Sequence, residues 1–281
     1  MGPSELAAVR YRAMVHAAAE TLSRPVFTGH SAAALMGLPI VGAWPSHVTV
    51  MSHDALGSKR PGVVTVARTT DIPTVETDGY ATTGIEFTLI QLARHAPLAA
   101  ALVAADAALR VPRTPADPPA LTTIDAMRAE HERLKQYPGS RRVDAVLSRA
   151  KTGADTPLET MSRLVIEEFG FPEPLLQHRL WLSELGRNAD LDFFWPEYEI
   201  AAEADGRGKY VPEGAASATA AKVIEEKQRE DAVRRRVRGF ARWDWMEMWR
   251  KRPIHARLTA AGLPVVRKPV RLIVLSSLPP K

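Results

Sequence analysis

Apolar positions recur along the chain in two rhythms, one helical and one alternating. Ile85, Leu89 and Leu92 fall at helical spacing and predict a helix over 84–95 with one face on a core. Further helices are expected over 4–22, about 31–36 and 97–110, with Ser4 and Glu5 suited to a helix start and Gly37 to a stop. The strand-like runs 47–51 and 63–68 flank a loop carrying Gly57, Pro61 and Gly62. Residues 1–110 thus read as an α+β domain. Pro112, Pro115, Pro118 and Pro119 then break regular structure. A charged helix over 123–136 and a basic one over 141–151 make 111–156 a helical linker.

From Leu158 the pattern predicts a helix to 169, halted at Gly170-Phe171-Pro172, and strands over 175–183, 189–195 and 198–205. A long charged helix over 218–238, a strand over 240–243 and helical segments over 244–261 follow. The order α-β-β-β-α-β describes an α/β domain with a mixed sheet over 157–262, and 263–281 is left as a tail.

Composition narrows the possible chemistry. The chain has 281 residues, 46% hydrophobic and 25% charged, which excludes wholesale disorder and a membrane bundle. It has no Cys, which excludes a disulfide framework, thiol catalysis and Cys-based zinc sites. No run approaches the ~20 apolar residues of a membrane span, and the N-terminus lacks a signal-peptide core. A cytoplasmic protein is expected.

Acids stand out where apolar residues are expected. Glu159 lies in the first turn of the 158–169 helix, and Asp192 interrupts a buried-looking strand. Glu203 and Asp205 share one face of the next strand by alternation. Buried carboxylates are costly unless they bind something positive, and an oxygen-rich set suits Mg²⁺ or Mn²⁺. Lys209 follows the Gly-Arg-Gly turn and could face a scissile phosphate. Each residue also has a plainer reading. Asp205-Gly206 is a turn signal, Glu159 suits the helix dipole, and Asp190 and Asp192 could be solvated strand-edge charges.

Positive charge is concentrated just downstream. Lys222 to Arg252 holds eleven Lys/Arg against six Asp/Glu, an excess equal to the formal charge of +5 on the whole chain. Arg229, Arg234, Arg235, Arg236, Arg238 and Arg242 are the candidate nucleic-acid contacts. The competing reading is a solvated helix laced with pairs such as Glu225–Arg229 and Glu230–Arg234. Trp243, Trp245 and Trp249 are expected in the core rather than as base-stacking platforms.

Pro157-Leu158-Glu159, Gly170-Phe171-Pro172 with Pro174 and Gln177, and Asp192-Phe193-Phe194-Trp195-Pro196 form an ordered set. The set continues through 203–210, 226–231, Gly239-Phe240 and Arg242-Trp243. Over about 157–250 the chain resembles domains similar to the very-short-patch-repair endonucleases, of the PD-(D/E)XK nuclease superfamily. That resemblance implies a divalent-metal site for phosphodiester cleavage, with Glu159, Asp192 and Glu203 as ligands and Asp205 assisting. The superfamily's Glu-x-Lys reads Glu203-Ala204-Asp205 here, so an acid replaces the usual lysine, and Lys209 is the candidate to take that role.

His30-Ser31-Ala32-Ala33-Ala34-Leu35-Met36-Gly37-Leu38-Pro39, Thr82-Thr83-Gly84 and 104–110 resemble the antitoxins of AbiEi-type abortive-infection toxin–antitoxin systems over about 26–110. The expected function is a metal-dependent, endonuclease-like protein acting on DNA, in a phage-defence or toxin–antitoxin setting. The alternative is an antitoxin-like regulator that binds DNA or a protein such as a cognate toxin, with an inactive nuclease fold. A third reading is a defence module that binds mainly protein.

Overall fold

A computed structural model describes residues 3–134, 136–206 and 216–272. Its described residues form a mixed α+β structure of two compact units, divided between 157 and 158. Lys209 lies outside the described residues. Among the described residues, no helix is long and apolar enough to cross a membrane.

The first unit opens with α1 (Pro3–Thr21) and α2 (Gly29–Leu35). Strand β1 (Val48–Met51) follows, then β2 (Ser58–Arg60) and β3 (Val63–Val66). β1 pairs with β3 in parallel, and β2 lines the other edge of β3 antiparallel. A separate hairpin, β4 (Thr74–Thr77) and β5 (Tyr80–Thr83), turns at Asp78-Gly79. Helices α3 (Ile85–His95) and α4 (Leu98–Leu109) supply a large share of the core, with Leu89, Leu92, Leu102 and Leu109 buried. β2, β4 and β5 do not show in the apolar pattern, because β2 and β4 are mostly exposed and the buried residues of β5, Thr82 and Thr83, are polar.

The 111–156 stretch, expected as a linker, lies within this unit. Its helices are α5 (Ile124–Leu134) and α6 (Ser140–Leu147). Buried Met127, Val143 and Val146 give them a core face. Arg94 Nε donates to Pro138 O at 3.0 Å, and the Lys151 amide donates to buried Asp106 at 2.9 Å. Such contacts satisfy groups that burial would otherwise strand.

The second unit runs α7 (Pro157–Glu168), β6 (Leu175–Leu182), β7 (Arg187–Trp195), a 3₁₀ turn (Pro196–Tyr198), and β8 (Ile200–Asp205). Next come α8 (Ala216–Arg236), β9 (Gly239–Asp244), α9 (Trp245–Arg250) and α10 (Arg252–Ala260). The sheet order is β6-β7-β8-β9, antiparallel except for the parallel pair β8–β9. Ala232 and Val233 of α8 pack on Leu191 and Ala201, so α8 covers one face of the sheet. Trp243 is buried, donates to Ser162 of α7 at 2.8 Å, and stacks on Phe193.

Residues 263–272, part of the expected tail, run back over the end of α7. The amides of Val266 and Arg267 donate to Gly170 O at 2.9 and 3.0 Å, and that of Val270 to Glu168 O at 2.9 Å. Gly170 permits this approach: its φ is +77°, and a Cβ there would lie 2.0 Å from Arg267 O.

Candidate active site

The acids read from the sequence come together on neighbouring strands and one helix start. Asp192 leaves β7, Glu203 and Asp205 leave β8, and Glu159 projects from the first turn of α7. Gln177 of β6 joins two of them: its Nε2 donates to Glu159 Oε2 at 2.8 Å and to Asp192 Oδ1 at 3.1 Å. Asp192 Oδ2 accepts the Ala204 amide at 2.8 Å, which ties β7 to β8. Gln177 holds a φ of +51°, uncommon for a non-glycine residue, and the β6–β7 ladder skips the pair Gln177–Asp192.

Burial decides the electrostatics. The Asp192 carboxyl is pushed up to about 6, first by desolvation and then by the charge of Glu159. Glu203, with only 6% of its side chain exposed, is also raised by burial, against the pull of Arg229 and Arg242. Arg229 of α8 places one terminal nitrogen 2.8 and 2.9 Å from the two oxygens of Glu203 and pairs with Glu226. Arg242 is the β9 partner of Glu203 in the parallel ladder. Its guanidinium lies 2.7 Å from Glu230, 3.3 Å from Glu226, 3.4 Å from Asp205 and 3.8 Å from Glu203. Asp192, Glu203, Asp205, Glu226, Arg229 and Arg242 line one cavity of about 620 Å³.

The six basic candidates separate. Arg229 and Arg242 turn into the acidic cluster. Arg234 pairs with Glu230 and lies over the Phe240 ring, and Arg235 pairs with Glu184. Arg236 and Arg238 are exposed. Of the two expected helix pairs, Glu230–Arg234 is present. Glu225–Arg229 is not: Glu225 meets Arg187, and Arg229 takes Glu226. Sequence reasoning missed Gln177 as a bridge and Glu226 and Glu230 as partners of Arg242. The signals were a polar residue in a half-apolar strand and the helical phase of α8.

Glu159, Asp192, Glu203 and Asp205 fit a hard cation by chemistry: all are oxygen donors, and the Asp192 carboxyl is raised by desolvation and by the charge of Glu159. Their present arrangement does not gather around one ion. Among the described residues no group of three or more His, Cys, Asp or Glu stands ready to hold a metal. Arg229 engages both oxygens of Glu203, and Gln177 bridges Glu159 and Asp192.

Comparison of the chain with family models, with curated proteins and with solved structures finds no match.

Proposed function

We propose that the 158–273 unit has a PD-(D/E)XK-like core and acts as a metal-dependent endonuclease-like domain on DNA phosphodiesters. The observation that carries this reading is half-buried Asp192, its carboxyl raised by desolvation and by Glu159, joined to Glu159 through Gln177 at a cavity that Glu203 and Asp205 also line. Asp192, Glu203 and Glu159 would hold Mg²⁺ or Mn²⁺, with Asp205 assisting. Such an ion, when bound, activates water and stabilises charge on a phosphoryl oxygen. The chain's own part is to orient these oxygens through Gln177 and the Ala204 amide. Arg229 and Arg242 supply positive charge beside them, and exposed Arg236 and Arg238 supply it along the approach. Lys209 stays a candidate for positioning water or phosphate. The test is nicking of supercoiled plasmid with Mg²⁺ or Mn²⁺ by wild type, Asp192→Asn and Glu203→Gln. Activity in wild type that drops at least about 100-fold in both variants supports the reading; equal activity in all three defeats it.

A specific observation favours a second reading, an antitoxin-like regulator with an inactive nuclease fold. Arg229 and Arg242 already compensate Glu203 and Asp205. On this reading the 1–157 unit contacts DNA or a protein such as a cognate toxin. Salt-sensitive DNA binding with no cleavage product in either metal would select it.

A further inference from the structure

The two inward arginines are held by more acids than the sheet alone supplies. Glu203 and Asp205 belong to the sheet, but Glu226 and Glu230 come from α8. Glu230 lies 2.7 Å from Arg242 Nη1, closer than either sheet acid lies to that guanidinium. Glu226 contacts both arginines, at 2.8 and 3.3 Å. Four carboxylates therefore surround Arg242, yet its Nε is buried without a hydrogen-bond acceptor. A buried donor left unpaired among so many acceptors marks a compromise geometry, and such a group asks for an explanation. The network also lines an open cavity whose wall includes Arg187, Asn188 and the exposed Gly206. An anion entering there meets the same guanidiniums.

We propose that Glu226 and Glu230 act as an internal brake on nucleic-acid binding. They occupy Arg229 and Arg242 in the free protein, and a backbone phosphate competes with them for the same donors. A guanidinium serves carboxylate and phosphate through the same fork of N–H groups, so the exchange needs a change of partner and no change of charge state. The inference rests on the reading that this cavity faces DNA. It adds that the acids of α8 set the affinity and salt dependence of that contact. It also accounts for the placement of acids inside an otherwise basic segment: Glu226 and Glu230 meet the inward arginines, while Arg236 and Arg238 stay exposed.

The experiment is fluorescence anisotropy of a short labelled duplex in EDTA across a salt series. It compares the 281-residue chain with its Glu226→Gln/Glu230→Gln and Glu197→Gln/Glu199→Gln variants. The control removes the same charge from exposed residues beyond the other end of β7. The α8 variant should bind at least about tenfold more tightly than the control, with a log–log salt slope steeper by up to about two phosphate contacts. Adding Arg242→Lys and Arg229→Lys should remove most of that gain, because lysine does not reproduce the fork. A gain equal to the control's, or one that survives loss of both arginines, overturns the brake. Absence of binding in every variant overturns the DNA reading and the brake with it, a result distinct from wild-type binding that the α8 acids do not change. Should the arginine variants fail to fold, the arginine Nε–H signals of wild type decide by NMR. Those of Arg229 and Arg242 should shift on adding duplex more than that of Arg257, and no difference overturns the brake.

Discussion

Asp192 is the residue on which charge, burial and proposed chemistry meet. Its carboxyl is pushed up to about 6, against an ordinary value of about 3.9 in an unfolded chain. Between these values the folded chain keeps a proton that the unfolded chain has released, so stability from this group falls as pH rises through the window. Urea unfolding of the metal-free protein at pH 4.5 and pH 6.5 should show it. Asp192→Asn should be the more favourable variant at pH 6.5 relative to pH 4.5, by on the order of 2 kcal/mol; a difference independent of pH would contradict the raised carboxyl. Arg229 gives a second residue-level prediction. Arg229→Met leaves Glu203 buried beside only the more distant Arg242 and should cost about 3 kcal/mol, whereas Arg229→Met with Glu203→Leu should recover most of that loss. The acids were legible in the sequence because a carboxylate in an apolar strand is conspicuous. Their partners were not, because the choice of Glu226 over Glu225 by Arg229 depends on rotamer and helical phase rather than on residue type.

At the scale of elements, punctuation served better than propensity. Gly170-Phe171-Pro172 stops α7 at Glu168, and Gly239 opens β9 where a side chain would meet Ala261 O at 2.2 Å. The long apolar helices were readable from their period, as were β6, β7 and β8 from their apolar runs. The short strands β2, β4 and β5 were not, since the exposed residues of β2 and β4 and the buried threonines of β5 leave no apolar period to detect, and only Asp78-Gly79 marks the hairpin. The return of 263–272 over α7 is likewise carried by backbone hydrogen bonds, which residue types do not announce. Gly170→Ala tests that contact against Gly186→Ala. Gly186 has a φ of +60° with nothing near its missing Cβ, so its replacement should cost about 1–2 kcal/mol of left-handed strain. Gly170→Ala adds a collision with Arg267 O and should cost clearly more in thermal or urea melts. Equal costs would mean that the 263–272 segment does not sit there.

For the whole molecule, the boundary at 157/158 matters more than the composition shift near 110. The Pro-rich stretch from 112 to 119 signals a break in the sequence, yet α5 and α6 bury Met127, Val143 and Val146 within the first unit. Fragments 1–157 and 157–281 are each expected to unfold cooperatively on their own, while a cut at 110 should leave an unstable N-terminal piece with the α3 and α4 surface exposed. Far-UV circular dichroism melts of the three fragments check this, and a stable 1–110 fragment would contradict it. The claim that matters most for function is that acids distant in sequence share one hard cation. Mn²⁺ binding, read from the loss of the free-ion electron paramagnetic resonance signal, tests it most directly. The account predicts saturable Mn²⁺ binding by wild type that Asp192→Asn weakens at least about tenfold. Absence of binding by wild type, or the same binding by the variant, would contradict it.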